Sequence, residues 1–170
     1  MEFDIEQTDE LLSTTRAVRL RLDLERDVPD DLLLRCIELA EQAPTGAGVS
    51  SRRWLVIRDQ ETKSRLAELY RAAGGSRMID RSQQRGKAED LQERVADSAA
   101  HLAANLEKVP VLVLATIWGV HDGSGRPGLF DSVIQAAWSF CLALRARGLG
   151  SAWTTLHLGK AKEFAELLGI

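Results

Sequence analysis

The run Pro110-Val-Leu-Val-Leu-Ala-Thr-Ile117 constrains this chain more than any other segment. It is apolar and β-branched without a break, so neither of its faces is written for water. Such a run predicts a strand covered on both sides, which makes it the central strand of its sheet. Shorter strands are expected over 54–57, β-branched at its centre, and over 151–156 around Trp153-Thr-Thr-Leu156.

Between these strands the pattern is helical. Thr8 and Asp9 read as an N-cap and first-turn acid for a short helix through Leu11, Leu12, Thr15 and Val18. Pro29, with Asp30 and Asp31 behind it, opens a second helix, since a proline fits the first turn where its missing N–H has no partner to lose. The apolar positions Leu33, Ile37, Ala40 and Leu32, Cys36, Leu39, Ala43 recur at three and four residues, so one face is buried before Pro44 ends the helix. Asp59 caps a third helix through Leu66, Leu69 and Tyr70, and Gly74-Gly75 breaks it. From Ser82 to Leu106 the set Leu91, Val95, Ala99, Leu102 and Leu106 predicts one long helix, exposed on one side, behind a mobile linker rich in Arg, Gln and Gly. A helix over 131–147 is stopped by Gly148-Leu-Gly150, and a last one covers 160–168. The segment 119–128 holds four glycines and a proline, and at that length it exceeds the usual connection and is a candidate functional loop. Strands alternating with pairs of helices give an α+β sandwich without internal repeats.

A chain of 170 residues with 45% apolar content is expected to form one domain around one core. Its 22 basic and 25 acidic residues leave a net charge of −3, so there is no positive field for a phosphate backbone and no nucleic acid partner is expected. Cys36 and Cys141 sit inside apolar helical stripes without the spacing of a zinc site or redox pair. Reduced, buried thiols and a cytoplasmic location follow as expectations. The N-terminus lacks the basic and apolar regions of a signal peptide, and no apolar run reaches the ~20 residues needed to cross a bilayer, so no membrane partner is expected.

Three segments carry candidate chemistry. Thr15-Arg-Ala-Val-Arg19 sets two guanidinium forks three residues apart, at the end of the first helix or just beyond it, where they can share a face. Two forks aimed at one point suit a phosphate dianion, and the plainer alternative is a pair of solvated arginines. Ala43-Pro-Thr-Gly-Ala-Gly48 is a polar loop with Thr45 as its hydroxyl, or simply a helix stop. Gly148-Leu-Gly-Ser-Ala-Trp-Thr-Thr-Leu-His157 offers bare backbone amides to a flat ligand edge, or is only a helix C-cap feeding a strand.

Together these segments resemble the FMN-dependent nitroreductase family, and the resemblance covers roughly the whole chain. It implies a nitroreductase-like α+β sandwich, with a central, mainly antiparallel sheet flanked by helices, in an intertwined homodimer whose two flavin sites draw on both subunits. A family motif similar to Arg-Ser-x-Arg, which grips the FMN phosphate, falls here on Arg16, Ala17, Val18 and Arg19, with alanine in the serine place. The loop that meets the ribityl chain and ring falls on Pro44, Thr45 and Gly46, while the family's asparagine, glutamine and aromatic positions are Gly48, Ser50 and Arg52. The segment whose N–H groups approach flavin N5 falls on Thr154, Thr155 and Leu156.

The resemblance further implies ping-pong turnover, in which NAD(P)H reduces the flavin, leaves, and is replaced by a nitroaromatic, a quinone or a related electron acceptor. No side chain is assigned a catalytic role, because the redox chemistry is the cofactor's. Two other readings share the fold: a flavin-binding or scaffold protein without turnover, and a different flavin chemistry such as dehalogenation or flavin fragmentation. Family members continue past the last helix with a proline-led strand and basic residues, so a chain ending at Leu167-Leu-Gly-Ile170 is expected to lack that extension.

The remaining residues point to structure. His157 follows the amide segment and could relay a proton, whereas His101 and His121 have no carboxylate or cysteine spacing around them. No metal-ligand cluster, nucleophile elbow or P-loop is present. Trp118, Trp138 and Trp153 are expected in the core or an interface, with Trp138 and Gln135 also able to line a ring pocket. The stripe Val133, Ala136, Ala137, Phe140, Cys141 and Leu144 is expected to form the dimer core.

Overall fold

The computed structural model describes residues 2–45, 48, 50–118 and 127–170. They fall into two compact units: Met1–Ala17, Asp27–Val56 and Val113–Trp153 in the first, and Val18–Arg26, Ile57–Leu112 and Thr154–Ile170 in the second.

The first unit is built on helices α1 (Ile5–Thr14), α2 (Asp30–Ala40) and α6 (Pro127–Arg145) and on the two strands β1 (Arg52–Ile57) and β2 (Leu112–Ile117), whose last and first residues belong to the second unit. Helix α1 begins earlier than the pattern predicts. Asp4 is its N-cap, accepting from the Gln7 N–H at 3.0 Å, and Thr8 lies inside the helix with its hydroxyl donating to the Asp4 carbonyl. Asp4 and Thr8 are both good caps, and the one preceding Ile5 adds nearly a turn. Helix α2 starts behind Pro29 as expected and buries Leu33, Cys36 and Ala40 against α6. From α6 come Ala136, Ala137, Phe140, Cys141 and Leu144, so the stripe expected at a dimer core is already covered within the unit. Truncating Leu33 at this contact to alanine costs about 2–5 kcal/mol. Gly148, at φ 76°, ends α6: its N–H donates to Arg145 O and the Leu149 N–H to Leu144 O, both at 3.0 Å, the 5→2 and 6→1 bonds of a glycine-led cap.

The strands pair antiparallel, in a register that sets Ser51 opposite Trp118 and Arg53 opposite Thr116. Among the described residues strand β2 is therefore not the doubly covered centre of a sheet. Its one neighbour among the described residues is β1, and all six of its residues are half-buried. No strand forms over 151–156 either, where the chain runs unpaired into a 3₁₀ turn over Leu156–Lys160. The Thr155 carbonyl accepts from the Leu158 N–H, and the Thr154 hydroxyl meets a side chain distant in sequence.

The second unit holds α3 (Gln60–Tyr70), α4 (Ser76–Arg85), α5 (Leu91–Asn105) and α7 (Ala161–Leu168). Asp59 caps α3 as predicted, accepting from the Thr62 N–H at 2.7 Å. Lys63 on the buried side of α3 donates from Nζ to Val109 O at 2.9 Å, and Arg71 meets Glu107 at 2.9 Å, which fixes α3 to the segment ahead of β2. After Tyr70 the helix widens. Ser76 N–H donates to Arg71 O five residues back, and Gly74 inside this turn sits at φ 146°, a conformation open to glycine. Helix α4 begins beyond this kink, so Gly74-Gly75 breaks the helix as expected.

The single long helix expected from Ser82 to Leu106 is two helices. Gly86, at φ 80°, ends α4, and Asp90 caps α5 on the Glu93 N–H, which leaves a five-residue turn between them. All five apolar positions of that set lie at or beyond Leu91, in α5 and the turn behind it, so the period itself never reached α4. The pair is held by Asp97, which accepts from Ser82 Oγ at 2.6 Å and from Arg85. Helix α7 buries Phe164 and ends at Gly169 in the left-handed region.

Candidate functional site

Helix α1 stops where three successive hydroxyls, those of Ser13, Thr14 and Thr15, each return to the carbonyl four residues back. This back-bonding loosens the last turn, where the Leu11 carbonyl also accepts from the Thr15 N–H. Thr15 is already extended, so Arg16, Ala17 and Val18 lie beyond the helix. Arg16 and Arg19 consequently do not share a helix face as their spacing predicts. Arg16 is exposed, with Nη1 donating to Thr15 O at 2.8 Å. Arg19, in the second unit, is half-buried and reaches Ser98 Oγ at 3.4 Å. Neither guanidinium has a carboxylate within ion-pair distance among the described residues.

In the first unit, Pro44 and Thr45 follow the turn that ends α2; Pro44 is exposed and Thr45 half-buried, while Gly46 lies outside the described residues. This loop is held from below by Arg52, only 4% exposed. Its Nη2 donates to Glu41 O at 3.0 Å and Ala43 O at 3.1 Å, and its Nη1 to Ser132 O at 3.1 Å and Pro44 O at 3.4 Å. Glu41 closes the cluster. One carboxylate oxygen accepts from Trp54 Nε1 at 2.7 Å and lies 3.2 Å from Arg52 Nε, and the other accepts from Ser50 Oγ at 2.8 Å. Partial burial pushes the Glu41 carboxyl up, but the Trp54 and Ser50 bonds and the Arg52 charge outweigh it and hold the group below its ordinary 4.5. Trp54 packs its ring on Phe140, centroids 5.2 Å apart. The loop therefore rests on a buried charge cluster where the resemblance places an aromatic residue.

In the second unit, Thr154 and Leu156 are half-buried and Thr155 is exposed. Thr154 Oγ1 shares a 2.8 Å hydrogen bond with the Tyr70 hydroxyl and accepts from the Leu156 N–H at 3.5 Å. The Thr155 carbonyl accepts from Leu158, whereas its N–H has no partner among the described residues. His157 packs at a tilt on Phe164 with centroids 5.3 Å apart, and burial lowers its pKa. His121 and residues 119–126 of the expected functional loop lie outside the described residues, and 127–128 belong to α6.

Both cysteines are free and buried, and burial raises both thiols, as expected of inert core residues. Trp118, Trp138 and Trp153 are exposed rather than in the core. Residues the pattern did not single out for a site are Glu41 and Tyr70, with Arg52 noted only as a departure. An arginine at the first position of an apolar strand was the available signal for the charge cluster; nothing local marks Tyr70.

The sequence matches the nitroreductase family over residues 12–170. The chain belongs to that family. No curated protein matches the sequence. Among solved structures, this family member is similar to the FMN-dependent nitroreductase NfnB from Mycobacterium smegmatis in complex with NADPH, at a TM-score of 0.69 and 19% identity over 98% of this chain and 83% of that one. It is similar to a BluB-like flavoprotein from Clostridium difficile 630 at a TM-score of 0.68 and 20% identity, over 98% and 81%. An iodotyrosine deiodinase bound to FMN and 3-iodo-L-tyrosine gives a TM-score of 0.67 and 20% identity, over 93% and 79%. These likenesses show the nitroreductase-like fold.

Proposed function

We propose that this protein is an FMN-dependent oxidoreductase that takes electrons from NAD(P)H and passes them to a nitroaromatic, a quinone or a related acceptor by a ping-pong mechanism. Family membership supports the flavin, and the NADPH-bound neighbour supports the nicotinamide donor. The observation that carries the reading furthest is the N–H of Thr155, an exposed residue, unpartnered among the described residues at the position where the resemblance places a donor to flavin N5. Arg16 and Arg19 fit the same group, since each guanidinium lacks a carboxylate partner among the described residues and so keeps its charge for a phosphate.

In this reading Arg16, Ala17, Val18 and Arg19 bind the phosphate and ring edge, Pro44, Thr45 and Gly46 the ribityl side, and the amides of Thr154, Thr155 and Leu156 the N5 edge. When bound, FMN supplies hydride acceptance and electron donation. The chain's own task is orientation: fixed N–H donors hold a proton-bearing edge in place, and Arg16 and Arg19 each supply positive charge. All of this belongs to a single domain working as a cytoplasmic homodimer. Ile134 and Trp138, one turn apart on the exposed side of α6, support the dimer, and two unpaired thiols support the reducing compartment.

The test is the visible spectrum of the purified protein with and without FMN, followed by anaerobic NADH or NADPH. A bound flavin band that bleaches is expected, and Arg16→Ala with Arg19→Ala should weaken FMN binding. A protein that takes up no FMN refutes the reading; one that binds FMN but never bleaches is the flavin-binding protein without turnover. The deiodinase neighbour favours a second reading, reductive dehalogenation on the same flavin, which a halotyrosine offered to the reduced protein separates from nitroaromatic reduction.

A further inference from the structure

We propose that Tyr70 and Gly74 form a seat for the Thr154–Leu156 segment, so that Tyr70 is a positioning residue which sets the direction of the Thr155 and Leu156 amides. The inference rests on the flavin reading only for what those amides face; the seat itself stands on geometry within the second unit.

Two contacts build it. Tyr70, the last residue of α3, is 5% exposed and meets Thr154 Oγ1 at 2.8 Å across 84 residues of sequence. Either oxygen could donate, but chemistry chooses. Were Thr154 the donor, the phenolic hydrogen would be left without a partner in a buried place, and an unmatched buried donor is costly. Tyr70 therefore donates. The Thr154 oxygen then accepts from Tyr70 through one lone pair and from the Leu156 N–H through the other. Its hydrogen is left at a half-buried position, where water can meet it.

The second contact is the wide turn Arg71–Gly75 that directly follows Tyr70. A Cβ on Gly74 would lie 3.3 Å from Leu156 Cδ1, and one on Gly159 would meet Ala73 at 3.6 Å, so the 156–160 turn rests against this part of the backbone. Gly74 adds a φ of 146° that a residue with a side chain rarely adopts. The widened turn thus does two things at once: it ends α3 with Tyr70 aimed at Thr154, and it leaves a notch for the Leu156 side chain. Between them they fix both ends of a three-residue segment that has no strand partner among the described residues. Without the seat, the amides at 155 and 156 would be free to rotate away from a ligand edge, since no ladder holds them.

The seat is tested first without flavin. In Tyr70→Phe, which keeps the ring, amide exchange at residues 154–158 should quicken roughly three- to tenfold, the worth of one hydrogen bond, while exchange within α5 stays as in the parent. Thr154→Val should reproduce this, Thr154→Ser should restore the parent behaviour, and the Tyr70→Phe, Thr154→Val pair should be no worse than either alone. Should Tyr70→Phe lower overall stability, Thr154→Val carries the test from the exposed side. With FMN bound, each single change should weaken binding about three- to tenfold and shift the flavin midpoint potential, which mere loss of packing would not do. Unchanged exchange at 154–158 in both variants, or additive effects in the pair, overturns the seat. If the parent binds no FMN while the exchange results hold, the flavin reading has failed and the seat has not.

Discussion

Replacing Arg52 by alanine removes the donor of four hydrogen bonds to carbonyls and the charge beside the Glu41 carboxylate. The four hydrogen bonds run to Glu41 O, Ala43 O, Pro44 O and Ser132 O, and the side chain making them is 2% exposed. At about 1.5–3 kcal/mol for each bond to a charged group, simple addition gives about 6–12 kcal/mol. That sum is an upper bound, because the vacated space admits water that rehydrates the carbonyls. Breaking a buried pair by removing one partner costs about 3–5 kcal/mol. Glu41 keeps its bonds to Trp54 and Ser50, and its side chain is 29% exposed, so the lower part of that range applies. We therefore expect Arg52→Ala to lose about 3–4 kcal/mol, which for a chain of this length lowers Tm by about 6–16 °C. Arg52→Lys keeps the charge but carries three donors on one atom in place of a fork, and should recover about half of the loss. Thermal unfolding followed by circular dichroism decides the matter. A fall in Tm under about 2 °C for Arg52→Ala would refute the claim that this guanidinium holds the loop.

Three further outcomes follow from the same geometry. Glu41 has its carboxyl held below 4.5, so the folded state binds its proton less readily than the unfolded chain; its stabilisation is present above that value and is lost as pH falls through the lowered one, and Glu41→Gln should flatten this acid limb in urea titrations run from pH 6 downward. Asp97→Ala removes the acceptor shared by Ser82 and Arg85 and should cost about 1–3 kcal/mol, read as faster amide exchange in α4 than in α3; equal exchange in both helices would count against the interlock. Cys36 and Cys141 should react with a thiol reagent only as fast as the chain opens, and both should titrate at once in denaturant, so a rapid native-state reaction would contradict their burial.

What the sequence made legible was local. The Pro29 start of α2, the Asp59 cap of α3 and the Gly148 stop of α6 each depend on residues within a turn of one another, and all three stand in the structure. Misreadings came where two local signals competed. Asp4 and Thr8 could each cap α1, and the charged run from Ser82 passes for the start of α5 although Gly86 turns the backbone there. The β-branched residues at 153–156 promised a strand, but a strand needs a neighbour, and the hydroxyl of Thr154 was taken by Tyr70 instead. The candidate site followed the same rule. Its motif residues were found by resemblance, while the groups that hold them, Arg52 across 80 residues to Ser132 and Tyr70 across 84 to Thr154, are contacts no window of sequence displays.

The arrangement around Glu41 also gives the protein an optical signal of its own. Of the four tryptophans, Trp118 and Trp153 are exposed and should emit at long wavelength and be quenched by acrylamide, as Trp138 should wherever the proposed dimer face is open. Trp54 differs, with its indole N–H tied to Glu41 and its ring against Phe140. Its emission should be the shielded, blue-shifted fraction. Because Glu41 joins that indole to Arg52 and Ser50, the shielded fraction reports the state of the Pro44–Thr45 loop from inside, with no added label, whenever a ligand, a substitution or acid disturbs it.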